Sequence, residues 1–428
     1  MTTRLLCTGD VHLGRRPTRL PDGVDPRDLG PAEAFRRFVD LALQRRVHAA
    51  VLTGDVVDAG NRFYEAYAVL QAGVRKLLDG GVPVFAVAGN HDHDVLARLA
   101  DEVEGFRLLG RDGQWEEAEV PGTEGDPVRL VGWSFPARHV HGNPLDLGFP
   151  AVASGGLTVG LLHCDCDVGA STYAPVSLAE LRARPVAAWL LGHIHRPTLL
   201  SENLPLVLYP GSPQGLDPGE PGPHGAWLVE FARGASPRAE LVPLAPLRYE
   251  PLDVSLDGVH DSDGFDRAVL GALRSLHDAI GGESAATRWM ACRMRLTGRT
   301  ALHRMLPALT RPILADLRIS QDSVEYFVEK VDDATRPDHS LDDLARSTDS
   351  VGLLARRLLA LERRTPVELY DPLIRRGRAA IEAERKSSTY LALDDAMQPA
   401  DDEQVRQVLL RAGFAMLDEL MAQKEAAA

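Results

Sequence analysis

Leu5-Leu6-Cys7-Thr8-Gly9-Asp10-Val11-His12 sets the pattern for the N-terminal half of the chain: a short apolar run, a glycine, then side chains able to ligate a metal. The same arrangement recurs at Gly54-Asp55 after Ala49 to Thr53 and at Gly89-Asn90-His91-Asp92 after Val82 to Ala88. It recurs again at His163 after Leu157 to Leu162 and at Gly192-His193-Ile194-His195 after Ala187 to Leu191. Short, wholly apolar runs are what sheet strands look like when both faces are covered. Val128 to Trp133 and Leu204 to Tyr209 add two more. Helical patterns lie between several of them: Phe35, Phe38, Val39 and Ala42 share one face, as do Phe63, Tyr67, Leu70, Val74 and Leu77. The alternation predicts an α/β fold. Side chains leaving the carboxyl ends of its strands converge on one edge, where open α/β sheets place their sites, and the glycines let the loops turn sharply.

Asp10, His12, Asp55, Asn90, His163, His193 and His195 are seven hard or borderline ligands, enough for two divalent ions that share one carboxylate. One Asp-x-His pair arises easily by chance, and a lone histidine such as His163 is more often a core residue. The five clusters in this order carry the signal. Two cations about 3.5–4 Å apart suit phosphodiester hydrolysis, because the anionic diester repels hydroxide unless metal ions activate the water and bind the phosphoryl oxygens. Asp55 is the bridging ligand in this reading. Carboxylate and neutral imidazole ligands suit Mn2+, Fe2+ or Zn2+.

In the order GDVHLG, GDVVD, GNHD, a strand-end histidine and GHIH, the chain resembles the calcineurin-like metallophosphoesterases. Leu13-Gly14, Asp58, Tyr209-Pro210-Gly211-Ser212-Pro213 and Leu296-Thr297-Gly298-Arg299-Thr300 resemble, within that superfamily, the Mre11/SbcD-like DNA repair exonucleases. The resemblance covers roughly residues 1 to 330. It implies two mixed sheets packed face to face and flanked by helices, the metallophosphoesterase fold. It also implies that Asp10, His12 and His195 complete one metal site around Asp55, that Asn90, His163 and His193 complete the other, and that the two ions are manganese. His91 matches no ligand position. By resemblance it is the acid that protonates the departing sugar oxygen, a task that suits an imidazole near neutral pH, with Asp92 orienting it. DNA as substrate, a homodimer and an SbcC/Rad50-like coiled-coil ATPase partner follow from the same likeness. One stretch departs from it: Ala59-Gly60-Asn61-Arg62-Phe63-Tyr64 stands where many relatives have a Ser/Pro-rich turn, so Arg62 and Phe63 either contact DNA or mark a different helix start.

The expected organisation is a nuclease domain over 1–248, a capping domain over 249–331, a linker over 332–349 and a helical partner-docking segment over 350–428. The first domain closes with strands at Ala226 to Phe231 and Ala239 to Leu244. In the second, Met290, Cys292, Met294 and Leu296 alternate with Ala291, Arg293 and Arg295, a strand with one buried face, between helical patterns at Phe265 to Leu276 and Leu302 to Leu317. The linker is acidic at Asp332-Asp333 and Asp342-Asp343. Beyond it, Leu353, Leu354, Leu358 and Leu361 form one stripe, and Val405, Val408, Leu409, Ala412, Leu417, Leu420 and Met421 approximate another. Such stripes pack in cis or against a partner. A basic run precedes the last helix: Arg356, Arg357, Arg363, Arg364, Arg375, Arg376, Arg378, Arg385 and Lys386. It offers a surface to DNA or to an acidic partner, or simply a solvated face.

The composition of the 428 residues is that of a globular protein, 45% hydrophobic and 25% charged, and no uncharged apolar run approaches the about 18 residues a membrane span needs. The N-terminus enters a strand directly, without the features of a secretory signal, so the expected location is cytoplasmic. Four cysteines in this length predict reduced thiols, and Cys164-Asp165-Cys166 lacks the second pair that a structural zinc site needs. A net charge of −14 runs against a nucleic-acid enzyme, whose footprint is usually basic. Divalent ions offset part of it, and Arg15, Arg16 and Arg19 follow the first ligand cluster, where a phosphate backbone would pass. His139 and His141 lie in a Pro/Gly-rich stretch and are left out of the site. Two alternatives remain: a phosphodiesterase for a small or cyclic nucleotide, sharing all seven ligands, and a non-catalytic scaffold that binds DNA ends.

Overall fold

The computed structural model describes residues 2–58, 60, 65–122, 127–152, 157–232, 234–281, 285–338, 340–385 and 400–426. Arg62, Phe63 and Lys386 lie outside them. By contacts the chain forms two compact units: Met1–Leu252, Gly271–Arg295 and Thr310–Asp332 make the first; Asp253–Leu270, Leu296–Leu309 and Asp333–Ala428 make the second.

In the first unit the apolar runs pair into two six-stranded sheets. β1 (Thr3–Thr8), β2 (Ala49–Leu52), β3 (Val84–Ala86) and β4 (Phe106–Leu108) are parallel neighbours, and β11 (Gly225–Phe231) pairs antiparallel with β1 and with β12 (Arg238–Pro243). The second sheet runs β5 (Glu116–Val120), β6 (Val128–Trp133), β7 (Leu157–His163), β8 (Ala188–Gly192), β10 (Leu206–Tyr209), β9 (Thr198–Ser201), parallel from β6 to β10 with antiparallel edges.

Alternation along each strand divides the core into layers. Leu5, Cys7, Val51 and Phe85 meet Leu130, Val159, Leu161, Leu190 and Leu208 between the sheets. Leu6, Ala50, Leu52, Val84 and Ala86 point the other way, onto helices α1 (Pro31–Arg45), α2 (Glu65–Asp79) and α3 (His93–Glu102). Trp133, Leu162, Trp189, Leu191 and Tyr209 close the far side of the second sheet with Leu181 of α4 (Leu178–Ala183). This is the expected architecture of two face-to-face mixed sheets flanked by helices.

β13 (Leu247–Ser255), β14 (Trp289–Thr297), β17 (Val324–Asp333) and β16 (Arg318–Gln321) form a third sheet, and α5 (Ser262–Ile280) and α6 (Leu306–Asp316) flank β14 in sequence. The even positions of β14 are buried as expected, but the opposite face is not simply solvated. Ala291 is buried with Leu29, Leu247, Tyr249 and Phe327, and Arg293 pairs with the buried carboxylate of Glu329 at 3.4 Å. Arg19 pairs with the same Glu329 at 2.7 Å.

In the second unit the stretch expected as a linker carries β18 (Arg336–Pro337), which pairs with β15 (Arg299–Thr300), and the short α7 (Leu341–Leu344) capped by Ser340. The two apolar stripes of α8 (Ser350–Arg363) and α10 (Asp402–Ala426) pack in cis: Val351, Ala355, Leu358 and Leu361 meet Val405, Leu410 and Leu417, with Ile374 of α9 (Val367–Arg385) between them. Leu353 and Val408 of the expected stripes are exposed. Much of the basic run is neutralised internally: Arg363 pairs with Asp342, Arg364 with Glu403 and Arg378 with Asp402, while Arg356 donates to the Ala345 and Ser347 carbonyls.

Candidate metal centre

Every one of the seven expected ligands sits at the end of a strand. Asp10 and His12 follow β1, Asp55 follows β2, Asn90 follows β3, His163 closes β7, and His193 and His195 follow β8. Asp10, His12 and Asp55 hold φ of 48°, 49° and 50°, a left-handed conformation that costs energy without a glycine and that clusters at functional sites. Glycine is required where the strand ends crowd. A Cβ on Gly192 would lie 1.9 Å from the Thr53 carbonyl oxygen and 2.5 Å from His163 Nδ1; one on Gly89 would lie 2.2 Å from Asp55 Oδ1.

The hydrogen-bond partners fix the tautomers. His12 Nδ1 faces Asp58 Oδ1 at 3.3 Å and His195 Nδ1 faces Glu220 Oε1 at 2.7 Å. Carboxylates accept, so each ring carries its proton on Nδ1 and turns a lone pair outward at Nε2. The two Nε2 atoms nevertheless approach to 3.2 Å. A second convergence lies nearby. His163 Nδ1 donates to the Thr53 carbonyl at 3.0 Å, while its Nε2 faces Asn90 Oδ1 at 3.1 Å and Asp55 Oδ2 at 3.5 Å. Acceptors aimed at one another repel unless a cation or a proton sits among them.

The electrostatics agree. Burial opposes a charge on His163, yet the Asp55 carboxylate outweighs it and lifts the pKa to about 9. His195 is raised in the same sense: burial opposes it, and Glu220 and Asp10 overcome the opposition. Burial would raise Asp55, but His163 and His12 hold it well below the usual carboxylate range. Without metal the site thus draws protons to the places where divalent ions would be held.

Ligating atoms of Asp10, His12 and His195 fall within 4.8 Å of one another, and so do those of Asp55, His163 and His193. Asn90 joins the second group through His163. His193 Nε2 is occupied by Asp165 Oδ1 at 3.2 Å, which leaves Nδ1 for the centre, and its backbone N–H donates to both oxygens of Asp10 at 3.1 Å. Burial and the neighbouring His163 lower its pKa to about 4, so the ring is neutral and able to ligate.

His91 is half-buried beside the first group, its ring 4.9 Å from that of His12. The carboxylate facing it is that of Asp58, with Oδ1 3.8 Å from His91 Nδ1. Asp92, expected to orient His91, accepts instead from the backbone N–H groups of Val56 at 2.6 Å and Gly89 at 3.0 Å, which ties the loops after β2 and β3 together. Burial and the Asp55 charge raise its pKa to about 7.

Sequence reading missed the carboxylates that hold the imidazoles. Asp58 had a signal in its spacing from Asp55, but Glu220 and Asp165 had none. The loop arginines are also engaged: Arg15 with Asp58 at 3.2 Å and Arg16 with Glu65 at 3.0 Å, besides Arg19 with Glu329. All four cysteines are free thiols; Cys164 packs in the core, where burial pushes its thiol up.

Residues 3–197 match the family model of the calcineurin-like phosphoesterases, and residues 249–336 match that of the middle domain of metallophosphoesterase YhaO. The uncharacterised metallophosphoesterase YhaO of Bacillus subtilis is 28% identical over 47% of this chain and 50% of its own length. The DNA double-strand break repair protein Mre11 of Haloferax volcanii is 28% identical over 65% of this chain and 63% of its own. The chain thus spans about half to under two thirds of these relatives. Among solved structures, the 5'-nucleotidase precursor of Thermus thermophilus is 17% identical, with a TM-score of 0.38 over 66% of this chain and 60% of that one.

Proposed function

For a chain that carries a calcineurin-like metallophosphoesterase domain, we propose the role of a two-metal DNA nuclease subunit of the Mre11/SbcD kind, hydrolysing phosphodiesters as an exonuclease and on single strands in DNA repair. The observation that carries the metal chemistry is the pair of convergent acceptor groups, His12 against His195 and His163 against Asn90 and Asp55, which call for two cations. The likeness to Mre11 of Haloferax volcanii supports DNA as the substrate.

Asp10, His12 and His195 would hold one ion, Asn90, His163 and His193 the other, with Asp55 between them. Manganese is the proposed metal, with Fe2+ and Zn2+ compatible with the same donors. When bound, the pair supplies Lewis acidity and an activated water. The chain does the rest. Asp58, Glu220, Asp165 and the Thr53 carbonyl keep the four ligand imidazoles in one tautomer and orientation. His91 gives a proton to the departing sugar oxygen. Burial lowers its pKa, and the Asp55 and Asp58 carboxylates limit the fall. Asp92 acts through the two loops it ties rather than on His91 itself.

Residues 1–248 serve as the nuclease domain, 249–331 as the capping domain, 332–349 as the connection and 350–428 as the docking segment for an SbcC/Rad50-like ATPase, in a cytoplasmic homodimer. No helix among the described residues is long and apolar enough to cross a membrane.

Mn2+-dependent hydrolysis of an aryl phosphodiester and of linear or single-stranded DNA tests this reading, and Asp55→Ala should abolish both. Near-normal turnover by that variant with both metals retained would refute the bridging role. If every DNA substrate stays intact, with and without the ATPase, while a cyclic or dinucleotide is turned over rapidly, the protein is a small-nucleotide phosphodiesterase.

A further inference from the structure

His193 is also the inner end of a row of rings that the metal centre does not use. Tyr173 lies beside it with centroids 4.7 Å apart and planes inclined at 34°. His139 follows Tyr173 at 5.7 Å and 43°. Exposure increases along the row, from a His193 side chain 19% accessible through a half-buried Tyr173 to an exposed His139.

The two loops that carry the outer rings are fixed to each other and to the centre. The Val140 N–H donates to the Thr172 carbonyl at 2.8 Å, and the Ala174 N–H to the Val140 carbonyl at 2.7 Å, a short parallel bridge. The Tyr173 carbonyl accepts from the Asp165 N–H at 2.9 Å, and the Asp165 carboxylate in turn holds His193 Nε2. One backbone-anchored unit therefore sets both the ligand imidazole and the rings outside it.

We propose that Tyr173 and His139 form a stacking ledge for a nucleobase of the strand whose phosphate enters the metal centre. The proposal deepens the nuclease reading and rests on it, by naming the part of the strand that is gripped. Every base offers a π face, so an aromatic ledge binds single strands without sequence preference. Such a grip suits this chain. Its net charge is −14, and Arg15, Arg16 and Arg19 already face carboxylates, which reduces what phosphate electrostatics can supply. A ledge ordered in advance adds little conformational cost on binding. Packing against His193 alone would explain Tyr173 but not the exposed ring tilted against its outer side.

Equilibrium binding of the full-length protein, followed by fluorescence anisotropy with Ca2+ in place of Mn2+, tests the ledge. The probes are a labelled single-stranded oligothymidylate and a strand of equal length with tetrahydrofuran abasic units. The protein should prefer the strand with bases by about tenfold. His139→Ala and Tyr173→Leu should each weaken that strand several-fold and leave the abasic strand unchanged, while Tyr173→Phe keeps the preference. Equal affinity of the unaltered protein for both strands overturns the ledge, as does equal weakening of both strands by His139→Ala. Should Tyr173→Leu disturb the metals, the surface substitution His139→Ala decides alone. Cleavage of neither strand in Mn2+ would remove the nuclease reading while the binding preference still decides the ledge.

Discussion

The proposed function makes His91 a proton donor and not a ligand, although it lies beside His12 and opposite Asp58 and its ligating atom falls within 4.8 Å of theirs. His91→Ala should therefore retain two metal ions per chain and lose about 10² to 10⁴ in DNA cleavage, the usual worth of general acid help. The loss should shrink on an aryl phosphodiester, whose leaving group needs no proton. Equal damage on both substrates would make His91 a structural residue. At His163 the question is a proton against a metal. Its pKa of about 9 without metal means that binding an ion near neutral pH must expel a proton. Metal affinity should then rise about tenfold per pH unit up to about pH 9 and level off above it. The metal-free protein should show the opposite trend. A folded-state pKa raised above the unfolded value gives stability that is full below about pH 6.5 and lost as pH rises through about 9. Calorimetric titration in two buffers of different ionisation enthalpy counts the expelled protons, and none at pH 7.5 would contradict this account.

His163 at the end of β7 and the loops just past the other strand ends build the centre, and they crowd at Gly192, which lies in register with His163 and against the Thr53 carbonyl. Gly192→Ala would force a methyl group against the Thr53 carbonyl and His163 Nδ1, the two atoms whose hydrogen bond fixes the His163 tautomer. We expect about 1–3 kcal/mol of lost stability from overpacking, together with a metal affinity reduced at least tenfold by a displaced ligand. Gly142→Ala, with open space around its Cβ, should match the unaltered protein in both thermal melting and metal titration. A Gly192→Ala protein with normal metal affinity would show that the approach has no bearing on the site. Strands β1, β2, β3, β6, β7, β8 and β10 were legible because each is short, apolar and almost wholly buried, whereas β4, β5 and β9, with exposed or half-buried positions, gave no such run. The ligands were legible because each stands at a strand end or within four residues beyond it. Glu220 was not, since it reaches His195 across 25 residues from a Pro/Gly-rich loop, and such a meeting exists only once the chain has folded. The backbone contacts of Asp92 were hidden for a related reason. Adjacency to His91 suggested a side-chain partner, whereas the carboxylate turns toward backbone donors on another loop.

At the scale of the whole chain, the sequence showed amphipathic helices in 350–428 without showing what covers them. Their stripes cover one another, since an apolar face buried in cis gains what it would gain against a partner without the cost of association. The ATPase docking proposed above would therefore use what the bundle leaves outside. Val367 and Leu369 at the start of α9 are 56% and 42% exposed, and Val408 and Met416 on α10 are 45% and 60% exposed. A double substitution Val367→Glu and Leu369→Glu places charges on surface already wet, so the protein should keep its melting temperature, its metals and its aryl esterase activity. It should fail to co-purify with an SbcC/Rad50-like partner that the unaltered chain retains. Leu358→Glu supplies the contrast: it buries a carboxylate among Val351, Ala355 and Leu417, and should cost several kcal/mol of bundle stability because the charge has no partner there. Loss of partner binding only with Leu358→Glu, and not with the exposed pair, would mean that the partner reads the folded bundle elsewhere than at the start of α9.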